Sequence, residues 1–182
     1  MRLRQPIWPR LLPSSTVIGC ATLGPVGQRL PAPGTWGSLA GLLYFTVGYI
    51  ELYGGGAHPW IGSLETLLWS AAAGYLAVAF CGEAEFRIGR TDPGEVILDE
   101  FVAMPLCFLG WPWLGRTFPL WAVFLGGFGI FRLFDITKPL GIKKLQDYPG
   151  GWGIVLDDTA AALATCASLH LIRWGWLAWH PR

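Results

Sequence analysis

Residues 131–158, FRLFDITKPLGIKKLQDYPGGWGIVLDD, set Arg132, Asp135, Lys138 and the pair Asp157-Asp158 between apolar segments on both sides. Arg132 and Asp135 are three apart in a phenylalanine-rich run, so on a helix they share one side of the cylinder. Lys138 precedes Pro139, and the residue before a proline is pushed out of the α region, so the helix is expected to end there with Lys138 at its mouth. A basic turn with Lys143 and Lys144 follows, then Gly150-Gly151 as a hinge. The apolar run Ile154-Val155-Leu156 then delivers two acids to the start of another long apolar segment. Acids embedded in apolar sequence need a compensating partner.

The composition says what surrounds them. The chain has 182 residues, enough for one domain with a buried core. Of these 53% are apolar, only 14% are charged and 11 are tryptophan. A soluble domain has roughly 25% charged residues, so the bias points to lipid contact. A net charge of +1 without a clustered basic excess argues against a nucleic-acid partner, and nothing indicates a protein partner. Cys20, Cys81, Cys107 and Cys166 are isolated, with no CxxC or Cys/His spacing, and read as buried thiols.

Residues 1–33 read as a basic, proline-rich N-terminal arm and 34–182 as a single helical domain. The arm is a poor signal peptide: Pro13 and Ser14-Ser15 break its apolar run, and no small-residue cleavage site follows. Pro31 to Ser38, PAPGTWGS, precedes the apolar run Leu39 to Ile50, so Thr35 or Ser38 can cap a helix starting there. Such a helix end can also hold a phosphate on its free N–H groups; the ordinary cap is the simpler reading of the residue types alone.

Apolar segments can be drawn at about Leu39 to Tyr53, Ile61 to Cys81, Ile97 to Leu114, Phe118 to Phe134 and Gly153 to Trp179. Several fall near or just under the roughly 20 residues that cross hydrocarbon. Each contains glycine, proline or an acid, so periodicity does not decide which ones span. Trp111, Trp113, Trp121, Trp174, Trp176 and Trp179 crowd the later segment ends, as interfacial aromatics do. The expected fold is all-α: a membrane-embedded helical bundle of about four or five apolar helices, some broken or only partly spanning.

A polar loop is expected from Glu83 to Glu95, turning at Asp92-Pro93-Gly94. Cys81 and Arg87 match the Cys-x5-Arg spacing of cysteine-dependent phosphatases, but Glu83 and Glu85 between them would repel a phosphate. Next comes a second acidic pair, Asp99-Glu100, in GEVILDEFVA, the same order of aliphatics, leucine and two acids as GIVLDDTAA around Asp157-Asp158. Two helices would present acids at similar depth.

An ionised side chain near the centre of a spanning helix costs about 2.5 to 3.5 kcal/mol, so four would cost on the order of 10 kcal/mol, comparable to a domain's whole stability. The acids must lie near the interface, be protonated, pair with Arg132 and Lys138, or bind a metal. Carboxylates without histidine or thiolate suit a hard cation, Mg²⁺ first and Mn²⁺ or Ca²⁺ next. Neighbouring helix residues point about 100° apart, so one acid of each pair is expected to face the metal while the other takes a second ion, a water or a cation. The alternative is purely structural salt bridging.

PAPGTWGSLAG (31–41), DPGEVILDEFV (92–102), FRLFDITKP (131–139) and GGWGIVLDD (150–158) together resemble the phosphatidylglycerophosphatase A family, in that family's order and over roughly residues 20 to 162. The resemblance implies a Mg²⁺-dependent helical phosphatase of the bacterial inner membrane that converts phosphatidylglycerophosphate to phosphatidylglycerol. It implies Asp99, Glu100, Asp157 and Asp158 as metal ligands and Arg132, Lys138, Thr35 and Ser38 as the phosphate-binding set. Asp99, Asp135 and Asp157 would be the catalytic acids. Ala103, Gly141, Ala162 and Tyr148-Pro149 depart from the family pattern at positions that bear on packing and headgroup fit more than on metal chemistry.

These parts compose a mechanism. Asp99, Glu100, Asp157 and Asp158 would hold a cation that polarises the phosphate and readies a water for in-line attack, Arg132 would fork onto the phosphate oxygens, Lys138 would neutralise the leaving or second phosphate, and Asp135 would orient Arg132 or act as base. No DxDxT nucleophile motif is present, and His58, His170 and His180 lie outside the motifs, as interfacial or solvated residues. Basic residues at the N-terminus, at Arg87-Arg90 and at Lys138 to Lys144 favour a cytoplasmic site with an even number of crossings between them. A membrane carrier or a scaffold remain the alternative classes; the first usually wants internal repeats, and the second leaves the acid pairs unexplained.

Overall fold

The computed structural model describes residues 3–53 and 59–180, without the side chains of 49–53 and 59–60, and every regular element among them is helical. His58 lies outside the described residues. Two short helices, α1 (Ser14–Ala21) and α2 (Pro25–Arg29), precede α3 (Pro33–Tyr53) and α4 (Pro59–Ile88). Then come α5 (Leu98–Ala103), α6 (Trp111–Gly115), α7 (Leu120–Thr137) and α8 (Gly151–Trp179).

Three helices among the described residues are long and apolar enough to cross a membrane: 61–88, α7 and α8. At 1.5 Å per residue the 18 residues of α7 reach about 27 Å, just short of the hydrocarbon thickness of about 30 Å. The surfaces of the three helices carry Trp69, Leu68, Leu125, Trp121, Leu171 and Trp174, all exposed. Apolar surface of that extent is rare on a water-facing monomer, and it marks the helices as membrane-associated.

The chain runs between two ends of this bundle. Ser38 near the start of α3 meets Arg132 near the end of α7, Gly151 at the start of α8 meets Val78 and Gly82 late in α4, and Lys138 meets Asp157. At the opposite end Ser63 early in α4 meets Gly110, and Arg173 late in α8 meets Trp113. Two passes along the bundle therefore separate residues 3–33 from the Arg87-Arg90 region, and two more separate that from Lys138.

One of those traverses is not a helix. The apolar stretch Ile97 to Leu114, expected as one segment, is broken into α5, a 3₁₀ turn at Met104–Phe108 and α6. Pro105 lacks the N–H that a continuing helix needs, and Gly110 turns at φ +74°. The stretch is apolar because it is the core: Ile97, Met104, Cys107 and Phe108 are fully buried, and Phe108 packs against Phe45 and Phe124 with ring centroids 5.2 Å apart in each case. Irregular backbone at membrane depth survives where protein groups satisfy it. Here the Gly110 N–H donates to Ser63 Oγ (3.0 Å), and His170 Nε2 donates to the Leu109 carbonyl (2.8 Å). His170 is thus a part-buried bundle residue, not a solvated one.

Three other expectations change. The loop expected from Glu83 begins only at Gly89, because α4 continues to Ile88 and pairs Glu83 with Arg87 Nε at 2.9 Å, one turn apart. Glu83 is buried, and Arg87 also donates to the Pro9 and Leu12 carbonyls and to Ser14 Oγ, tying the N-terminal residues to α4. Cys81 is buried on that same helix, so no phosphate loop separates it from Arg87. Ser38 does not cap α3, which starts at Pro33; its hydroxyl donates back to the Gly34 carbonyl (2.8 Å). Cys81 and Cys107 are buried as expected, whereas Cys20 is exposed.

Candidate active site

Three helices converge at one end of the bundle, each through a local feature of its sequence. The first turn of α5 carries Asp99 and Glu100, where the positive end of a helix favours acids. That turn is fixed to α1 by the Ile97 N–H on the Ala21 carbonyl (2.9 Å). Helix α8 begins at Gly151, so Asp157 and Asp158 sit in its second turn. The Gly151 N–H donates to Gln5 Oε1 (3.0 Å), and Gln5 Nε2 donates to the Val78 carbonyl (2.9 Å). A Cβ on Gly151 would lie 2.0 Å from that carbonyl, so only glycine lets α8 start this close to α4. Helix α7 contributes Arg132 and Asp135, and ends in Lys138, whose left-handed backbone (φ +44°) folds its N–H back to the Phe134 carbonyl at 2.7 Å.

Asp99, Glu100 and Asp158 each offer a carboxylate oxygen, and these atoms lie within 4.8 Å of one another. Asp157, the neighbour of Asp158, is turned to Lys138 and accepts a bond from its ammonium. The second pair therefore divides as expected, one acid in the cluster and one on a cation. The first pair does not, since both Asp99 and Glu100 join the cluster. Arg132 Nη1 donates to Asp135 Oδ2 (2.5 Å) and to Ser38 Oγ (3.3 Å), and stands 3.6 Å from Glu100 Oε1. Thr35 lies in the first turn of α3, half-buried, and does not line the cavity formed by the acids.

That cavity, about 150 Å³, is lined by Asp92, Asp99, Glu100, Asp135, Lys138, Asp157 and Asp158 with Gly94, Val96 and Ile154. Drug-sized ligands occupy roughly 300–1,000 Å³, so this space suits a phosphate-sized group, with the rest of a larger molecule outside. A larger cavity, about 450 Å³, lies between the N-terminal residues and the end of α4, but its arginines are already paired, Arg10 with Glu83 and Arg90 with Glu95.

The charge around the smaller cavity is unbalanced. Six carboxylates, Asp92, Asp99, Glu100, Asp135, Asp157 and Asp158, face two cations, Arg132 and Lys138. Asp99 Oδ1, Glu100 Oε2 and Asp157 Oδ1 are buried without a hydrogen-bond partner. Burial first, and then the neighbouring carboxylates, hold Asp99 and Glu100 well above the ordinary carboxyl range, with Arg132 only partly opposing this at Glu100. Burial acts to lower the Lys138 ammonium, but its bond to Asp157 and that residue's charge outweigh it and raise it overall. Buried acceptors with no donor, and acids that resist ionising, fit a missing positive charge. The cluster of Asp99, Glu100 and Asp158 can hold a metal ion, through all-oxygen ligands that suit a hard divalent cation.

Asp92 was read from sequence only as part of a turn, yet it borders the acids. Its backbone is left-handed (φ +47°), its N–H donates to Glu85 Oε1 (3.0 Å), and its Oδ2 accepts from Gln146 Nε2 (3.3 Å). Asp-Pro-Gly signals the turn but not its neighbours. Gln5 carried no sequence signal at all.

Comparison with known proteins gives the family. A family model described as Phosphatidylglycerophosphatase A matches residues 19–173, which includes the acidic cluster with Arg132 and Lys138. The phosphatidylglycerophosphatase A of Haemophilus influenzae is 34% identical over 134 residues, 73% of this chain and 74% of its own. That of Escherichia coli is 30% identical over 146 residues, 79% of this chain and 76% of its own. A Bacteroides thetaiotaomicron protein named "Putative phosphatidylinositol-3-phosphatase" is 33% identical over 148 residues, 79% of this chain and 84% of its own. No solved structure matches. The chain is a phosphatase and belongs to the phosphatidylglycerophosphatase A family.

Proposed function

We propose that this chain is a Mg²⁺-dependent phosphatidylglycerophosphate phosphatase of the bacterial inner membrane, with its site toward the cytoplasmic face. The observation that carries the reading is the cluster of Asp99, Glu100 and Asp158 with buried, unpartnered oxygens, set beside Arg132 and Lys138 at one end of apolar helices. Arg87, Arg90, Lys138, Lys143 and Lys144 lie at that same end, as the positive-inside bias favours.

Asp99, Glu100 and Asp158 would hold the cation, which when bound neutralises phosphate charge and lowers the cost of deprotonating water. Arg132, released from Glu100, directs its guanidinium to the phosphate oxygens while Asp135 fixes its orientation. Lys138, anchored by Asp157, offers its ammonium to the bridging or second phosphate oxygen. A buried, unpartnered carboxylate oxygen, Asp99 Oδ1 or Asp157 Oδ1, accepts the proton of the attacking water. Water's oxygen bonds to phosphorus as the ester bond breaks, and the glycerol oxygen leaves with a proton from the Lys138 ammonium, which the protonated carboxyl group then restores. Ser38 borders the Arg132 side through its hydroxyl. The cavity's phosphate-sized volume leaves the acyl chains outside, against the exposed apolar helices.

Phosphate release from phosphatidylglycerophosphate in detergent micelles, with Mg²⁺ and with EDTA, tests this. Release that requires Mg²⁺ supports it, and no release with either defeats it. Phosphatidylinositol 3-phosphate belongs in the same assay because of the Bacteroides relative's name, and faster turnover of that lipid would replace the substrate while keeping the chemistry.

A further inference from the structure

Glu100 reaches the acidic cluster across the first turns of α3, and two glycines of PGTWGS make room for it. A Cβ built on Gly34 would lie 2.1 Å from Glu100 Oε1 and 3.3 Å from Arg132 Nη1; one on Gly37 would lie 3.1 Å from Glu100 Oε2. Both carboxylate oxygens therefore rest against bare helix backbone. Ser38, fully buried, braces the same turn by donating to the Gly34 carbonyl and accepting from Arg132. The two glycines differ in what they touch. Gly37 also meets Ile97 Cβ and the Ile97 carbonyl at 2.9 Å, and Gly41 meets the Phe101 carbonyl at 2.5 Å, so side chains there push helices apart. At Gly34 the nearest atoms are the flexible ends of two functional side chains, Glu100 at 2.1 Å and Arg132 at 3.3 Å.

We infer that Gly34 is a positioning residue: the missing side chain holds open the place where the Glu100 carboxylate sits, and so sets that carboxylate's aim toward Asp99 and Asp158. The inference rests on reading those three acids as cation ligands. Alanine at position 34 is compatible with a helix and favoured over glycine in one. Its methyl group would force the Glu100 carboxylate to rotate away while the bundle stays folded. Shortening Glu100 by one methylene would withdraw its oxygens from that methyl, so Glu100→Asp should relieve the fault that Gly34→Ala creates.

The test is Mn²⁺ binding followed by electron paramagnetic resonance on the full chain in detergent, with thermal unfolding in EDTA alongside. It compares wild type, Gly34→Ala, Glu100→Asp and the double variant. Gly34→Ala should bind Mn²⁺ about 10- to 100-fold more weakly, the range for losing a group that orients a ligand, with a Tm equal to or above wild type. The double variant should bind more tightly than Gly34→Ala. An unchanged Mn²⁺ affinity in Gly34→Ala, or a double variant that binds no better than that single one, overturns the inference. A Gly34→Ala protein that does not fold, and is not restored by Glu100→Asp, also overturns it by assigning the glycine to packing. Wild-type protein that binds no Mn²⁺ defeats the cation-site reading itself, and this inference with it.

Discussion

Replacing Lys138 with methionine isolates what the ion pair at the site does. Lys138 retains 20% side-chain exposure and Asp157 only 4%, and the other oxygen of Asp157 is already unpartnered. The variant therefore leaves a nearly buried carboxylate with no donor. Breaking a buried pair by removing one partner costs about 3–5 kcal/mol, and the partial exposure of Lys138 puts this case near the lower figure. For a chain of 182 residues, about 3 kcal/mol corresponds to a fall in Tm of about 6–12 °C. Replacing both partners, Lys138→Met with Asp157→Leu, removes the stranded charge and should return the protein to within about 3 °C of wild type. Phosphate release should stay low in both, down by about 10²–10³-fold, since the group that neutralises the phosphate is gone. Thermal unfolding in detergent with EDTA reads the stability, and the micelle assay reads the activity. A single variant within about 3 °C of wild type would refute the reasoning, as would a double variant no more stable than the single one.

Other outcomes follow from the same geometry. Below the ordinary carboxyl pKa of about 4, Asp99 and Glu100 are protonated in both folded and unfolded chains and contribute nothing to pH dependence. As pH rises toward their elevated folded values the unfolded chain ionises first. Metal-free protein should therefore lose stability with rising pH, less steeply in Glu100→Gln, and an equal slope in a Tm series would contradict this. Protonated carboxyls do not ligate, so the Tm gain from added Mg²⁺ should grow over that window; a gain that shrinks would count against the site. Gln5→Ala removes the donor to the Val78 carbonyl and the acceptor for the Gly151 N–H, which should cost about 1–3 kcal/mol. Chemical denaturation that shows less than about 0.5 kcal/mol would mean that the N-terminal residues do not hold the start of α8.

Much of the site was legible because its chemistry is local. Arg132 with Asp135, the helix stop at Lys138 and the two acidic pairs each follow from spacing of four residues or fewer. Fold class followed from the shortage of charge, which only lipid contact or an unusually large core explains. The break inside Ile97 to Leu114 was harder, because Pro105 and Gly110 are tolerated in apolar segments and only the partners Ser63 and His170 make an interrupted traverse workable. Glu83 was misread as loop because an acid one turn from Arg87 looks polar in sequence, yet the pair is internally satisfied on a helix. Gln5 and Gly34 act through residues 146 and 66 positions away in the chain, Gly151 and Glu100, and no local pattern encodes such a contact.

The most direct test of the central claim is Mg²⁺-dependent phosphate release from phosphatidylglycerophosphate by wild type beside Asp99→Asn and Asp158→Asn, each checked for folding by thermal unfolding. The account predicts that wild type requires Mg²⁺ and that both folded variants lose activity by about 10²-fold or more, as removal of groups that organise transition-state charge does. Folded variants that release phosphate at the wild-type rate, or a wild type indifferent to EDTA, would contradict it.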